Sequence, residues 1–209
     1  ISLGLVGSEM CIRDSSYPVV QVMKGRELLT LGFLLIVFAS QVVWITFSPI
    51  ATYIAENLGV PVELVGLLAV TYPIFFLILT IPSGILLDRD FKKWFLFGAV
   101  MTFFAAFGRL LHFNYWWFLV CQLLGALGQP FLLNAFVPYA YGMYGEKESP
   151  IIISALTLSM YLGAVFALAS GVMLYMKGGV LFVILPAAAI SSLGLLFITI
   201  NIEKLSEIR

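Results

Sequence analysis

Charge is what this sequence has least of. Only 11% of its 209 residues are Asp, Glu, Lys or Arg, against about 25% in an ordinary soluble domain. Apolar residues make up 62%, more than a soluble domain of this size could bury, so the composition implies an all-α integral membrane protein with the lipid bilayer around it. Acidic and basic residues number 11 each. That balance leaves no basic footprint for nucleic acid. Histidine occurs once, as His112, and cysteine twice, as Cys11 and Cys121. These are too few for a disulfide framework or a metal cluster, so no metal or cofactor is expected. No acid falls inside any long apolar run, which removes paired carboxylates. A single histidine cannot supply the sets that Ser–His or metal hydrolysis needs at membrane depth, so an enzyme is not expected.

What is present is a series of charge-free runs. They cover residues 28–55, 64–87, 94–108, 113–145, 149–176 and 178–202. The third is the shortest but extends at both ends if Lys92, Lys93 and Arg109 snorkel. Each can supply the roughly 20 residues of a membrane-crossing helix. The expectation is six transmembrane helices in a bundle over 27–202, with a short tail at 16–26 and the start of a linker at 203–209. Residues 1–15 read differently. Glu9-Met10-Cys11-Ile12-Arg13-Asp14-Ser15 resembles a translated transposon end from sequencing-library preparation, so 1–15 is expected to be a non-native scar outside the fold.

Basic residues beside the spans set the orientation. One side collects Lys24, Arg26, Arg89, Lys92, Lys93, Lys147, Lys204 and Arg209, the other only Arg109 and Lys177. The positive-inside bias then puts both termini in the cytoplasm of a cell-membrane protein. Most tryptophans lie near span ends. Trp44 lies seventeen residues past Glu27 and twelve before Glu56, well inside the first span.

The loop after the second span reads Gly84-Ile85-Leu86-Leu87-Asp88-Arg89-Asp90-Phe91-Lys92-Lys93, with Leu96 following. It resembles the signature loop between helices two and three of the major facilitator superfamily, Gly-x-Leu-x-Asp-Arg-x-Gly-Arg-Lys-x-x-Leu. Phe91 stands at the glycine position and Lys92 replaces an arginine. The resemblance implies a membrane transporter of a small solute by alternating access. It also implies that these six helices are the N-terminal half of the fold, a 3+3 inverted repeat, with a C-terminal six-helix half of the same protein as partner. Gly84, Asp88, Arg89, Lys92 and Lys93 then form the gating motif.

Physically, Asp88 at a helix C-terminus meets the negative end of the helix dipole and needs a positive partner, such as Arg89, Lys93 or a helix N-terminus. Gly84 leaves room for another helix, and Asp90 is placed to cap the next one. The alternative for the whole chain is a six-helix receptor or scaffold without transport.

Transporter substrates of this class sit near the midplane between repeats. On the first span Gln41, Trp44 and Ser48 are spaced i, i+3, i+7 and would share a helix face. On the fourth, Gln122 and Gln129 share one, while Asn134 reaches it only if Pro130 and Pro138 bend the helix. Tyr72 and Thr71 on the second span and Thr157 and Tyr161 on the fifth are further candidates. Cys121 stands where proton-coupled members of the superfamily carry an arginine, so no proton path is visible in this half.

The phrases 41–48 (Gln-Val-Val-Trp-Ile-Thr-Phe-Ser) and 129–134 (Gln-Pro-Phe-Leu-Leu-Asn) look like helices one and four of the feline leukaemia virus subgroup C receptor family. That branch is associated with choline and ethanolamine uptake and with haem export. The resemblance puts Trp44 and Gln129 in a choline site, where an aromatic face holds quaternary ammonium without a carboxylate. Small residues recur at Ala155, Ser159, Gly163, Ala167 and Gly171, a close-packing stripe expected to touch the other half.

Overall fold

The computed structural model describes residues 16–111 and 113–208. Residues 1–15, with the expected scar and Cys11, and His112 lie outside the described residues. Every described element is helical: α1 (Ser16–Ile45), a 3-10 helix (Ser48–Ile50), α2 (Ala51–Leu58), α3 (Val62–Arg89), α4 (Phe91–Gly108), α5 (Tyr115–Asn134), α6 (Phe136–Ile200) and a second 3-10 helix (Ile202–Glu207). A helix pairs its own backbone groups, which hydrocarbon cannot do for it. Four stretches are long and apolar enough to cross a membrane: Gly25–Leu58, Val62–Arg89, Phe91–Gly108 and Tyr115–Ile200.

The first apolar run is not one helix. α1 stops at Ile45 and the chain turns through Ser48–Ile50 before α2 begins. Pro49 is the physical reason, because it has no N–H for the Ile45 carbonyl and its ring crowds that group. Ser48 therefore leaves the helix face that the i, i+3, i+7 spacing assigned to it.

α6 has 65 residues and would measure roughly 100 Å if straight, far beyond a bilayer. It is not straight. Gly145 (φ 70°) and the pair Gly178 and Gly179 (φ 66° at the latter) leave helical geometry, in a region glycine enters without steric cost. Contacts with α1 show the chain reversing at both breaks. Before Gly145, Tyr139 packs on Phe33 and Tyr144 lies under Arg26, so this part is antiparallel to α1. Past it, Ser159 donates to the Leu34 carbonyl at 2.8 Å, Gly163 abuts Phe38 and Gly171 abuts Pro49, a parallel course. Beyond Gly179, Gly194 abuts Gly32 and Asn201 approaches Gly25, antiparallel again.

The small-residue stripe of α6 thus packs within this chain, Ser159 and Gly163 on α1 and Gly171 on Pro49 just past its end. The expectation that it faces the other half is corrected here. Glycine at 163 lets the α1 and α6 backbones touch where any side chain would hold them apart.

The core runs the length of the bundle. At the end holding Asp88, Phe33 meets Phe95 edge-on at 4.7 Å and Tyr139 at 5.0 Å, and Leu205 and Ile208 of the last segment join them. Val43, Tyr72, Ala105 and Ala126 fill the middle. Phe47, Leu68, Phe118 and Ile184 close the opposite end.

Candidate functional site

A cavity of about 360 Å³ opens between α1, α3, α5 and α6, lined by Gln41, Trp44, Pro73, Phe76, Gln129, Leu133, Met160, Tyr161 and Ala164. Its volume falls within the roughly 300–1,000 Å³ of small-molecule sites. Three aromatic residues, two amides and a thioether line it, and no carboxylate does. Four candidates from the sequence, Gln41, Trp44, Gln129 and Tyr161, converge here.

Local sequence explains how Trp44 is held. Its indole N–H donates to the Ala69 carbonyl at 2.8 Å. That carbonyl lies four residues before Pro73, which has no N–H to return to it. The proline in α3 thus frees the acceptor that anchors the tryptophan of α1. The indole also stacks on Tyr72, with centroids 6.1 Å apart and planes at 22°. Gln129, 5% exposed, makes no hydrogen bond among the described residues. Among the described residues Gln41 donates only to the neighbouring Ser40 hydroxyl, at 3.3 Å. Both amides keep hydrogen-bonding capacity for a guest.

The remaining candidates are placed elsewhere. Tyr72 is buried and stacked on Trp44, with a hydroxyl that finds no partner among the described residues. Gln122 is fully buried and bonds to Arg109 and to the Trp44 and Leu68 carbonyls. Asn134 clasps α3, donating to the Thr80 carbonyl at 2.8 Å and the Ser83 hydroxyl at 2.7 Å. Thr71 and Thr157 bond to carbonyls of their own helices. Ser48 is exposed beyond the end of α1.

Arg109 does not snorkel. It is 1% exposed, turned into the bundle with its guanidinium 4.9 Å from the Phe47 ring centroid. Its distance from the helix end suggested the interface, and only the fold reveals the inward turn. The lining residues Pro73, Phe76, Leu133, Met160 and Ala164 were not singled out in the sequence. Pro73 carried the one signal that could have found them, as a helix-interior proline with a freed carbonyl.

A second cavity, about 700 Å³, lies at the signature loop against Leu205, Ser206 and Ile208. Asp88, Arg89 and Lys92 line it. The Asp90 carboxylate accepts from the Lys93 backbone N–H at 3.0 Å and caps α4, as its position suggested. Lys93 places its ammonium 5.3 Å from the Trp94 ring centroid. Asp88 is exposed and makes no hydrogen bond or ion pair among the described residues, so the positive partner expected from Arg89 or Lys93 is not supplied. Nothing lies within 4 Å of a Cβ built on Gly84. The helix approach expected there is likewise not made by the described residues.

No curated protein matches the sequence. The family model of the Major Facilitator Superfamily matches residues 33–207. That match covers more than half of the chain, including the bundle, the cavity and the signature loop: the chain belongs to the Major Facilitator Superfamily, whose members are membrane transporters.

Proposed function

We propose that this protein carries a choline-like small organic cation by alternating access, with Trp44 and Gln129 at the substrate. The observation that carries the reading is the acid-free cavity, where the rings of Trp44, Phe76 and Tyr161 stand beside two amides with bonding capacity to spare. Quaternary ammonium binds over aromatic faces and has no N–H to satisfy, so a carboxylate is not required. An amide can then take the hydroxyl end of the solute. Haem, another solute of the resembled branch, is far bulkier than choline and a poor fit to about 360 Å³.

The reading includes a bundle of six crossings with both ends on the cytoplasmic side. The reversals at Gly145 and Gly178–Gly179 divide the stretch Tyr115–Ile200 into three, which with the other three stretches makes six. A 3+3 inverted repeat, paired with a second six-helix half, would set the cavity at the midplane. Gly84, open to approach, and Asp88, without a partner, are then groups that the second half engages when the cytoplasmic side closes.

Uptake of labelled choline into proteoliposomes holding the complete transporter tests the reading. Competition by tetramethylammonium, and none by the neutral isostere 3,3-dimethylbutan-1-ol, is the expected result. Choline bound but never carried would instead favour a receptor. No interaction with choline would end the substrate proposal.

A further inference from the structure

We infer that Arg109 acts through the Gln122 amide to position Trp44, and so shapes the substrate cavity without touching it. The inference rests on the reading of the Trp44 cavity as the substrate site. Trp44 lies in the last turn of α1, where carbonyls lose their intrahelical donors. Its carbonyl is taken instead by the Gln122 Nε2 at 3.2 Å, and the same amide nitrogen donates to the Leu68 carbonyl at 2.8 Å. One side chain of α5 therefore ties the end of α1 to α3 at Leu68, the residue next to the Ala69 that holds the indole.

An amide can turn over, exchanging its oxygen for its nitrogen. Here it cannot do so without loss. Two carbonyls on one side accept only, and the Arg109 guanidinium on the other donates only, to Gln122 Oε1. Arginine stays charged and has no acceptor, so it fixes which way the amide faces.

The cost of keeping Arg109 there makes the role specific. It is 1% exposed, its Nε finds no partner, and no carboxylate is paired with it among the described residues. A buried cation without an acid is expensive. What an apolar residue cannot do is donate to Gln122. Arg109 also lies over the ring of Phe47, three residues past Trp44, so it holds the chain on the far side of the α1 break.

The test uses the complete transporter with Trp94, Trp116 and Trp117 replaced by Phe, leaving Trp44 as the sole indole of the 209 residues described by this sequence. Any tryptophan outside this sequence is replaced likewise. Emission maximum and iodide quenching of Trp44 are read without ligand, alongside a choline binding isotherm and a thermal midpoint.

Arg109→Met should keep the midpoint, shift the Trp44 emission and weaken choline by about tenfold, the upper end of one hydrogen bond's net worth. Arg109→Lys, which keeps a donor, should recover part of both. If Arg109→Met does not fold, Gln122→Glu decides: it still accepts from Arg109 but cannot donate to Trp44 or Leu68, and should give the same shift and loss. Unchanged emission and affinity in these variants would overturn the inference. Failure of the parent protein to bind choline would remove the substrate reading, while the ligand-free emission would still decide whether Arg109 positions Trp44.

Discussion

Single residues set the distances on which the bundle depends. A Cβ at Gly163 would run into the Phe38 carbonyl, whereas nothing lies within 4 Å of one built at Gly66. Gly163→Val should therefore cost roughly 1–3 kcal/mol, the price of overpacking, and lower the thermal midpoint in detergent. Gly66→Val should leave it nearly unchanged. Equal behaviour of the two would mean that the α1–α6 approach is not close.

Much at this scale was legible in the sequence. Depth within the first run singled out Trp44, and helical spacing joined it to Gln41. Gln129 was singled out as a polar residue of the fourth span, and Asp90 through its position before a helix start. Ser48 was misplaced because apolar periodicity does not register the turn that Pro49 imposes. Arg109 was misread because position in a helix fixes how near the end a side chain lies, and not which way it turns.

Elements carry the couplings between those residues. α3 is helical from Val62 to Arg89 despite Pro73 and Pro82, and the gap that Pro73 leaves in its bonding is filled from α1 by the indole of Trp44. Pro73→Ala would return an N–H to the Ala69 carbonyl. It should weaken solute binding by about 0.5–1.5 kcal/mol as the indole loses sole claim to its acceptor, with no loss of thermal stability. Binding measured beside a melt separates the two effects.

The far end of α3 serves a different purpose. Asp88 has no partner in the described residues, so Asp88→Asn should leave the melting temperature unchanged. In the complete transporter it should shift accessibility towards the inward-open state and slow transport. Labelling of cavity cysteines and an uptake assay would show it, and wild-type results in both would leave the loop a positive-inside anchor.

At the scale of the whole molecule, the hydropathy pattern conveyed the all-helical class, because hydrocarbon permits little besides helices, and four long apolar stretches follow it. It did not convey which helices touch. The stripe Ser159, Gly163 and Gly171 was legible as a packing surface, but α1 and Pro49 just past its end, rather than an external partner, cover it. Sequence spacing describes one helix at a time and is silent about its neighbour. The proposed orientation rests on loop charge. Single cysteines at Val60 and Lys177 should react with an impermeant reagent from outside intact cells, and cysteines at Asp90 and Lys147 should not. The opposite pattern would invert the proposed topology.

Choline binding to the complete transporter, compared between wild type and variants at Trp44 and Gln129, bears most directly on the proposed substrate cavity. A cation over an indole is worth about 0.5–2 kcal/mol, and more when desolvated. Trp44→Phe should keep part of the affinity, Trp44→Leu almost none, and Gln129→Ala should weaken binding independently, each with folding verified. Equal affinity in wild type and Trp44→Leu would contradict a substrate role for the ring.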